Sequence, residues 1–542
     1  MKRKYQTLSI AKILVGVFFL VMVVLPLCTM LFHMKDTNIL KVIQSPQFLV
    51  ALKNSAIVSL TATIASVMLA YLLAWCIART NIGFKGVFSV IFTLPMLIPS
   101  ISHGMGLIIL CGENGILTNL FSLQITIYGF WGIVVGSILY SFPVAFLMIL
   151  DLFRYEDYLP YEAANVLGIP KRYQMLSITY PYMRKPLVSV IFATFTLIVT
   201  DYGVPLVIGG QYTTLPVMMY QDVIGLLDFG KGSIIGLFLL LPAVLAFILD
   251  FLNKDVNNQS FVTITYKIIQ NKTRDIFASA FSIVTAVFVF LPIIAFVFLT
   301  FIKKYPINLQ FTFDNILKSL DMKAGQYFFN SILISLFVAF IGVIIAYGTA
   351  YLTARSTGKS SQILHMIALT SLAIPGLVLG LSYVLFFKGS FIYGTMVILV
   401  MVNTIHFFAS PYLLAYNSFG KINKNIESVG MTLGISRLRL IKDVFIPQMV
   451  GTILEMSSYF FVNAMITISA VSFLSSVKNM PVALLITQFE AQMLIECSAF
   501  ISLLILAVNL IIKAIVYGLK RKVNSDKKNE NEENYGIITK GI

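Results

Sequence analysis

The chain has 542 residues, 58% hydrophobic and only 11% charged, with a mean hydropathy of +0.89. That balance excludes a soluble globular protein, in which about a quarter of the residues carry charge. The formal net charge of +16 gathers in short polar connections, so it reads as a topology signal and gives a nucleic-acid reading nothing to rest on.

Twelve apolar runs follow in chain order, near residues 12–32, 51–78, 87–111, 127–150, 187–208, 233–252, 276–302, 328–354, 362–387, 393–415, 448–474 and 498–519. Each has the length at which a helix crosses a bilayer core, roughly 20 residues. They predict an all-α polytopic membrane protein, because the runs are continuous rather than alternating and a helix satisfies its own backbone in lipid. Lys2, Arg3 and Lys4 precede the first run. It is too long for a signal-peptide core and lacks a small-residue cleavage site, so it reads as a span. With the N-terminus inside, most of the 39 Lys and Arg fall on the cytoplasmic side, including Lys171, Arg172, Arg184, Lys185, Lys520, Arg521 and Lys522, and both termini lie there. Residues 523–542, acidic and Asn-rich, read as a disordered tail. Cys28, Cys76, Cys111 and Cys497 have neither metal-ligand spacing nor a disulfide framework and read as packing residues.

The sequence repeats itself. Asn54-Ser55 matches Asn330-Ser331, Ala70-Tyr71 matches Ala346-Tyr347, and Ala78-Arg79 matches Ala354-Arg355, all at an offset of 276 that continues through Pro99 with Pro375 and Gly104 with Gly380. The offset then becomes 266, aligning Leu167-Gly168-Ile169 with Leu433-Gly434-Ile435 and Pro181 with Pro447. The halves, 1–252 and 276–522, each carry six spans and so share one orientation, a parallel repeat with a solute path between the copies. Residues 253–275 form a polar, basic linker on the cytoplasmic side.

Two loops at corresponding places, 158–186 and 421–448, share one local code. Pro160 suits a first helical position, Glu162 favours the helix dipole, and Gly168 followed by Pro170 stops the helix. In the second loop Asn423 or Asn425 is the expected cap, Glu427 sits in the first turn and Gly434 is the stop.

On these residues the chain resembles the binding-protein-dependent permeases of ABC importers, whose signature is EAA, three residues, Gly, nine residues, then Ile-x-Leu-Pro. Glu162, Ala163, Ala164, Gly168, Ile178 and Pro181 match, with Tyr180 for Leu. In the second loop Gly434 and Pro447 match, while Ser428-Val429-Gly430 stands for EAA. In that family the loop is a coupling helix that docks into a cytoplasmic ATPase. The resemblance implies a multi-pass protein of the bacterial inner membrane with two kinds of protein partner. One is a separate ABC ATPase, working as a dimer, that uses ATP and Mg; the other is an extracytoplasmic solute-binding protein. This chain is then no enzyme and binds no cofactor itself.

Residues 225–232, GLLDFGKG, come close to a phosphate-binding loop, but Gly232 replaces the magnesium-binding hydroxyl and no strand precedes it. Ionisable residues inside spans are costly and draw notice: Asp201, His103, His406 and Glu455. The histidines read as helix–helix hydrogen-bonding groups and Glu455 as an interfacial partner. Asp201 opens a Gly- and Pro-broken segment, DYGVPLVIGG, whose free backbone can line a cavity. Asp201, Tyr202, Gly203 and Pro205, with Ser469 in the second half, are the candidate translocation-path residues. An ion-coupled secondary transporter is the alternative of another class, yet it does not account for two coupling-type loops, and Asp201 aligns with Thr467. The 201–205 pattern and ITISAVSFL at 466–474 resemble fused double permeases for 2-aminoethylphosphonate or ferric iron, in that order, ahead of thiamine and polyamine.

Overall fold

The computed structural model describes residues 2–122, 126–253, 264, 266–356, 358–423 and 425–540. Most of the linker's first part, 254–263 with 265, lies outside the described residues. The first half runs through α1 (Ser9–His33), α2 (Pro46–Arg79), α3 (Lys85–Thr93), α4 (Ser100–Cys111) and α5 (Phe130–Tyr155), then α6 (Leu159–Val166), α7 (Lys171–Val199), α8 (Gly203–Ile208), α9 (Leu215–Gly225) and α10 (Phe229–Asn253). The second half begins with α11 (Lys272–Thr300), an antiparallel hairpin of β1 (Ile302–Lys304) and β2 (Asn308–Phe311), and α12 (Ala324–Ala354). It continues with α13 (Lys359–Leu369), α14 (Gly376–Phe387), α15 (Met396–His406), α16 (Ala409–Lys421) and α17 (Ile426–Thr432). It ends with α18 (Arg437–Gln448), α19 (Val450–Ile466), α20 (Ala483–Ala491) and α21 (Ile495–Lys540).

The protein is all-α and polytopic in two tandem halves. Eight described helices are long and apolar enough to cross a membrane, eleven if three bent pairs each count as one span, and α10, apolar over Phe229–Leu245, fills the remaining place. Several runs that read as single spans are interrupted. Pro95 and Pro99 separate α3 from α4, and Pro375 separates α13 from α14 with a bend of 107°. The ring and missing N–H of proline account for both breaks. The run 187–208 is α7 and α8 with a break at Thr200–Tyr202, and the run 448–474 leaves its helix at Ile466 and continues in turns. α21 continues as helix to Lys540, where composition predicts disorder.

In lipid, apolar contact between helices gains little, so close approach and interhelical hydrogen bonds hold them together. The first helix of each half packs against the third span of the other: α1 on α13 and α14, α11 on α3 and α4. The Tyr383 hydroxyl on α14 donates to Met22 O at 2.8 Å, and Gly106 on α4 lies so close to α11 that a Cβ would stand 2.7 Å from Pro292. Asn509 Nδ2 donates to Leu97 O at 2.8 Å, again between halves. The duplicated halves are therefore interlocked.

The loops carrying α6 and α17 lie on one face; Asn114 and Gln211 belong to connections on the other, and Asn114, Gln211, Asn165 and Asn425 are all exposed. In a background freed of Cys28, Cys76, Cys111 and Cys497, single cysteines at Asn114 and Gln211 are expected to react with an impermeant maleimide added outside cells, while those at Asn165 and Asn425 stay unlabelled. The reverse pattern would invert the orientation.

Candidate functional site

The two glycines aligned by sequence adopt the same strained backbone. Gly168 has φ +69° and Gly434 φ +71°, the left-handed conformation that a side chain disfavours, and a Cβ at either would meet nothing within 4 Å among the described residues. Conformation, not space, selects glycine there. Each ends its helix with the same paired bonds. Ile169 N donates to Ala164 O at 2.9 Å and Gly168 N to Asn165 O at 3.1 Å; Ile435 N donates to Gly430 O at 2.8 Å and Gly434 N to Met431 O at 3.2 Å. Beyond the stops, one π-helical turn at Met175–Thr179 and another at Ile441–Phe445 precede Pro181 and Pro447. A proline in the following turn removes a backbone donor, and the wider turn accommodates it. Ile178 lies in the first of these turns. The tips are apolar and uncovered: Val166 is 88% exposed and Leu433 68%.

Ala164 is buried and Ala163 exposed. The degraded second motif is a compensated change. Gly430 aligns with Ala164 and Leu440 with Gln174, and a Cβ on Gly430 would lie 2.5 Å from Leu440 Cδ1. In the first half Gln174 instead donates to Asn165 Oδ1 at 2.9 Å and Ile169 O at 2.8 Å. The expected Asn cap of α17 is indirect: Asn425 makes no side-chain cap bond, and Asn423 Oδ1 accepts from Asn425 N at 2.9 Å.

Behind each tip a buried arginine at the end of a long span grips the loop. Arg79, the last residue of α2, pairs with Glu156, and both side chains are almost wholly buried. The Tyr161 hydroxyl donates to Glu156 and lies 2.5 Å from Thr179 Oγ1. Burial and the neighbouring carboxylate push the Tyr161 phenol above its usual range, so it stays a donor. Arg355, following α12, is held differently. Its Nε donates to Glu427 Oε1 at 2.6 Å and a second nitrogen to the other carboxylate oxygen, while the carbonyls of Ile422 and Asn423 each accept at 2.8 Å. Glu427 stands where Tyr161 stands in the first half, so one carboxylate replaces a tyrosine–glutamate pair. Glu162 pairs with Lys267 of the linker instead.

The broken fifth spans meet between the halves. The Tyr202 hydroxyl lies 2.6 Å from Ser472 Oγ, and its buried ring stacks on Tyr220 at 4.9 Å, which stacks on Phe473 at 6.2 Å. A Cβ on Gly203 would be 2.3 Å from Ser100 Oγ and 2.9 Å from Ile468 Cδ1; by the mirrored relation, a Cβ on Gly376 would be 2.2 Å from Ser469 Oγ. Asp201 serves as a cap: its carboxylate accepts from Val204 N at 3.0 Å and Gly203 N at 3.3 Å. Pro205 follows in the first turn of α8, where its missing N–H costs least. Beside Asp201 a small cavity is lined by Ser55, Ser59, Ser137 and Thr214. His103 is satisfied by Pro95 O at 3.1 Å, and Glu455 pairs with Lys520. His406 adjoins Gly376 and Ser469.

The sequence profile of the family described as "Binding-protein-dependent transport system inner membrane component" matches residues 66–257 and again 342–525. The chain belongs to this family. Two curated relatives align along most of this permease. The ferric transport system permease protein FbpB of Actinobacillus pleuropneumoniae is 25% identical over 74% of the chain and 61% of its own length. The putative ferric transport system permease protein FbpB 1 of Haemophilus influenzae is 25% identical over 85% of the chain and 76% of its own length. The thiamine transport system permease protein ThiP of Brucella abortus is 28% identical over 30% of the chain and 32% of its own length. The permease thus spans about three fifths of the Actinobacillus protein and three quarters of the Haemophilus one.

Sequence reasoning found the glycine stops and the Tyr202–Gly203 break but not the arginine clusters. The signal was present: Ala78-Arg79 and Ala354-Arg355 repeat in register, and a charge at the end of an apolar run needs a partner. Tyr220 and Phe473 carry no such mark, because an aromatic in a membrane segment is ordinary.

Removing one member of a buried ion pair leaves the other unpaired and costs about 3–5 kcal/mol. Arg355→Ala, which also removes a donor from the carbonyls of Phe419, Ile422 and Asn423, is expected to lower the unfolding temperature of the purified permease well below that of Arg355→Ala with Glu427→Gln. Equal melting of the two would show that Glu427 does not depend on Arg355.

Proposed function

We propose that this permease forms the solute path of an ABC importer and is driven by a separate ATPase dimer through α6 and α17. The observation that carries this reading is the duplicated construction of the loop face. Two exposed apolar tips, each fixed by a left-handed glycine, are tied by a buried arginine to the end of a long span. A push on a tip is then transmitted into the membrane rather than absorbed by the loop. Glu162, Ala163, Ala164, Gly168, Ile178 and Pro181, with Glu427, Gly430, Gly434 and Pro447, shape these tips. The face is cytoplasmic, both termini lie there, and ATP and Mg are used by the partner. An extracytoplasmic binding protein delivers the solute to the opposite face.

The contact of Tyr202 with Ser472, flanked by Tyr220 and Phe473, is the constriction of the path in this conformation. Asp201, Gly203, Pro205 and Ser469 shape its walls. For the solute, ferric iron takes precedence over 2-aminoethylphosphonate, which the local pattern at 201–205 favours. The reason is coverage: two ferric permeases align with 74% and 85% of the chain, whereas the thiamine permease aligns with 30%.

The test is reconstitution with the cognate ATPase and binding protein in proteoliposomes. ATP-dependent uptake is expected for ferric iron and not for 2-aminoethylphosphonate or thiamine. Gly168→Glu is expected to insert normally and hydrolyse ATP but to cut uptake at least about tenfold, because a side chain at a left-handed stop redirects α6. Uptake of the phosphonate alone would replace the solute, and undiminished uptake by Gly168→Glu with Gly434→Glu would remove the coupling role.

A further inference from the structure

The segment joining the halves does more than span them. Tyr158 N donates to Ile264 O at 3.0 Å, and Ile264 N donates to Asp157 Oδ1 at 3.2 Å. Tyr266 lays its ring 3.5 Å from the Arg79 guanidinium and meets Tyr158 and Tyr161 edge-on, at 5.1 and 5.2 Å between centroids. Lys267 donates to Glu162 at 2.8 Å, and that carboxylate raises the pKa of the ammonium. Further along, Asp275 Oδ1 accepts from Asn81 N at 3.1 Å, just beyond the end of α2. The described part of the linker therefore crosses the start of α6 and the buried Arg79–Glu156–Tyr161 cluster before entering α11.

The second half has a self-contained version of the same seat. Arg355 is saturated by Glu427 and by carbonyls of its own half, whereas Arg79 keeps one buried nitrogen, Nη1, without a hydrogen-bond partner among the described residues. The face of Tyr266 covers Arg79 at close range, while the rings of Phe153 and Tyr161 stand farther off, at 5.3 and 5.7 Å. A ring over a desolvated guanidinium is a substantial contact. The exposed Lys267–Glu162 pair, with side chains 68% and 41% exposed, contributes little. The tyrosine is the stronger tie.

We propose that the described residues of the linker, 264 and 266–271, are a working part of the first coupling site, with Tyr266 a positioning residue that sets the angle of α6 through Arg79. The proposal rests on the coupling reading of α6. It makes the two loops mechanically unequal: the second is braced within its own half, the first by a segment continuous with α11 of the other half. A displacement of α6 by the ATPase therefore pulls directly on the second half.

The test uses the full complex and reads solute moved per ATP hydrolysed. Tyr266→Leu keeps an apolar side chain but removes the π face, and Tyr266→Phe keeps the face. Tyr266→Leu is expected to lower the ratio about tenfold with ATP turnover and membrane insertion retained, while Tyr266→Phe stays near wild type. Lys267→Glu is expected to lower it less than about twofold. A wild-type ratio in Tyr266→Leu alongside an uncoupled Gly168→Glu overturns the proposal and leaves the coupling reading in place. A wild-type ratio in Gly168→Glu with Gly434→Glu overturns the coupling reading itself. Poor insertion of Tyr266→Leu together with a wild-type ratio in the inserted fraction assigns Tyr266 to assembly alone and also overturns the proposal.

Discussion

A helix broken inside a bilayer leaves backbone N–H and C=O groups that water cannot reach, and each must find a partner in the protein. Both fifth spans of this chain are broken, and much of the surrounding structure answers that need. The repeated Asn-Ser pairs do so directly. Asn54 Nδ2 donates to Thr213 O at 3.0 Å and Ser55 Oγ accepts from Leu215 N at 2.7 Å; Asn330 Nδ2 donates to Lys478 O at 3.1 Å and Ser331 Oγ accepts from Val482 N at 2.7 Å. Asp201 closes the start of α8. Gly104 and Gly380 let the third spans approach, with Cβ positions 3.2 Å from Val204 O and 2.8 Å from Ala470 O. The break persists because neighbouring elements are built to hold it.

The break places irregular backbone at the contact between halves, where the proposed path runs. The arginine clusters supply the other requirement, a stiff connection from the loop face to the long spans α2 and α12. Each buried pair is costly to separate, so under the proposed coupling a displaced tip would carry its span along. The first-helix exchange would hold the copies together during such a displacement.

The fold was legible in the sequence to the level of spans, repeat and loop stops, because those depend on composition, register and glycine. Gly168 and Gly434 were readable from local code alone, and the structure gives them nearly the same φ. The interruptions of the fifth spans were only half readable: Gly203 and Pro205 announce the first, whereas the second opens at Thr467-Ile468-Ser469, a stretch with no breaker, and is imposed by packing. The Arg79 and Arg355 clusters depend on partners far apart in sequence. Tyr266 could not be found without the fold, since nothing in a polar linker marks one tyrosine as the cover of a buried guanidinium. Asp201 was noticed for its charge, and the structure gives that charge a capping task.

If Tyr202 and Ser472 form the constriction that every solute must pass, linking them should stop transport without stopping the ATPase. In a background without the native cysteines, Tyr202→Cys with Ser472→Cys would be bridged by a short reducible dithiol-reactive linker in proteoliposomes containing the complete importer. Uptake should fall to background in the bridged double variant, remain in either single variant under the same treatment, and return on reduction. Full uptake with the bridge in place would contradict the account, because the path would then run elsewhere.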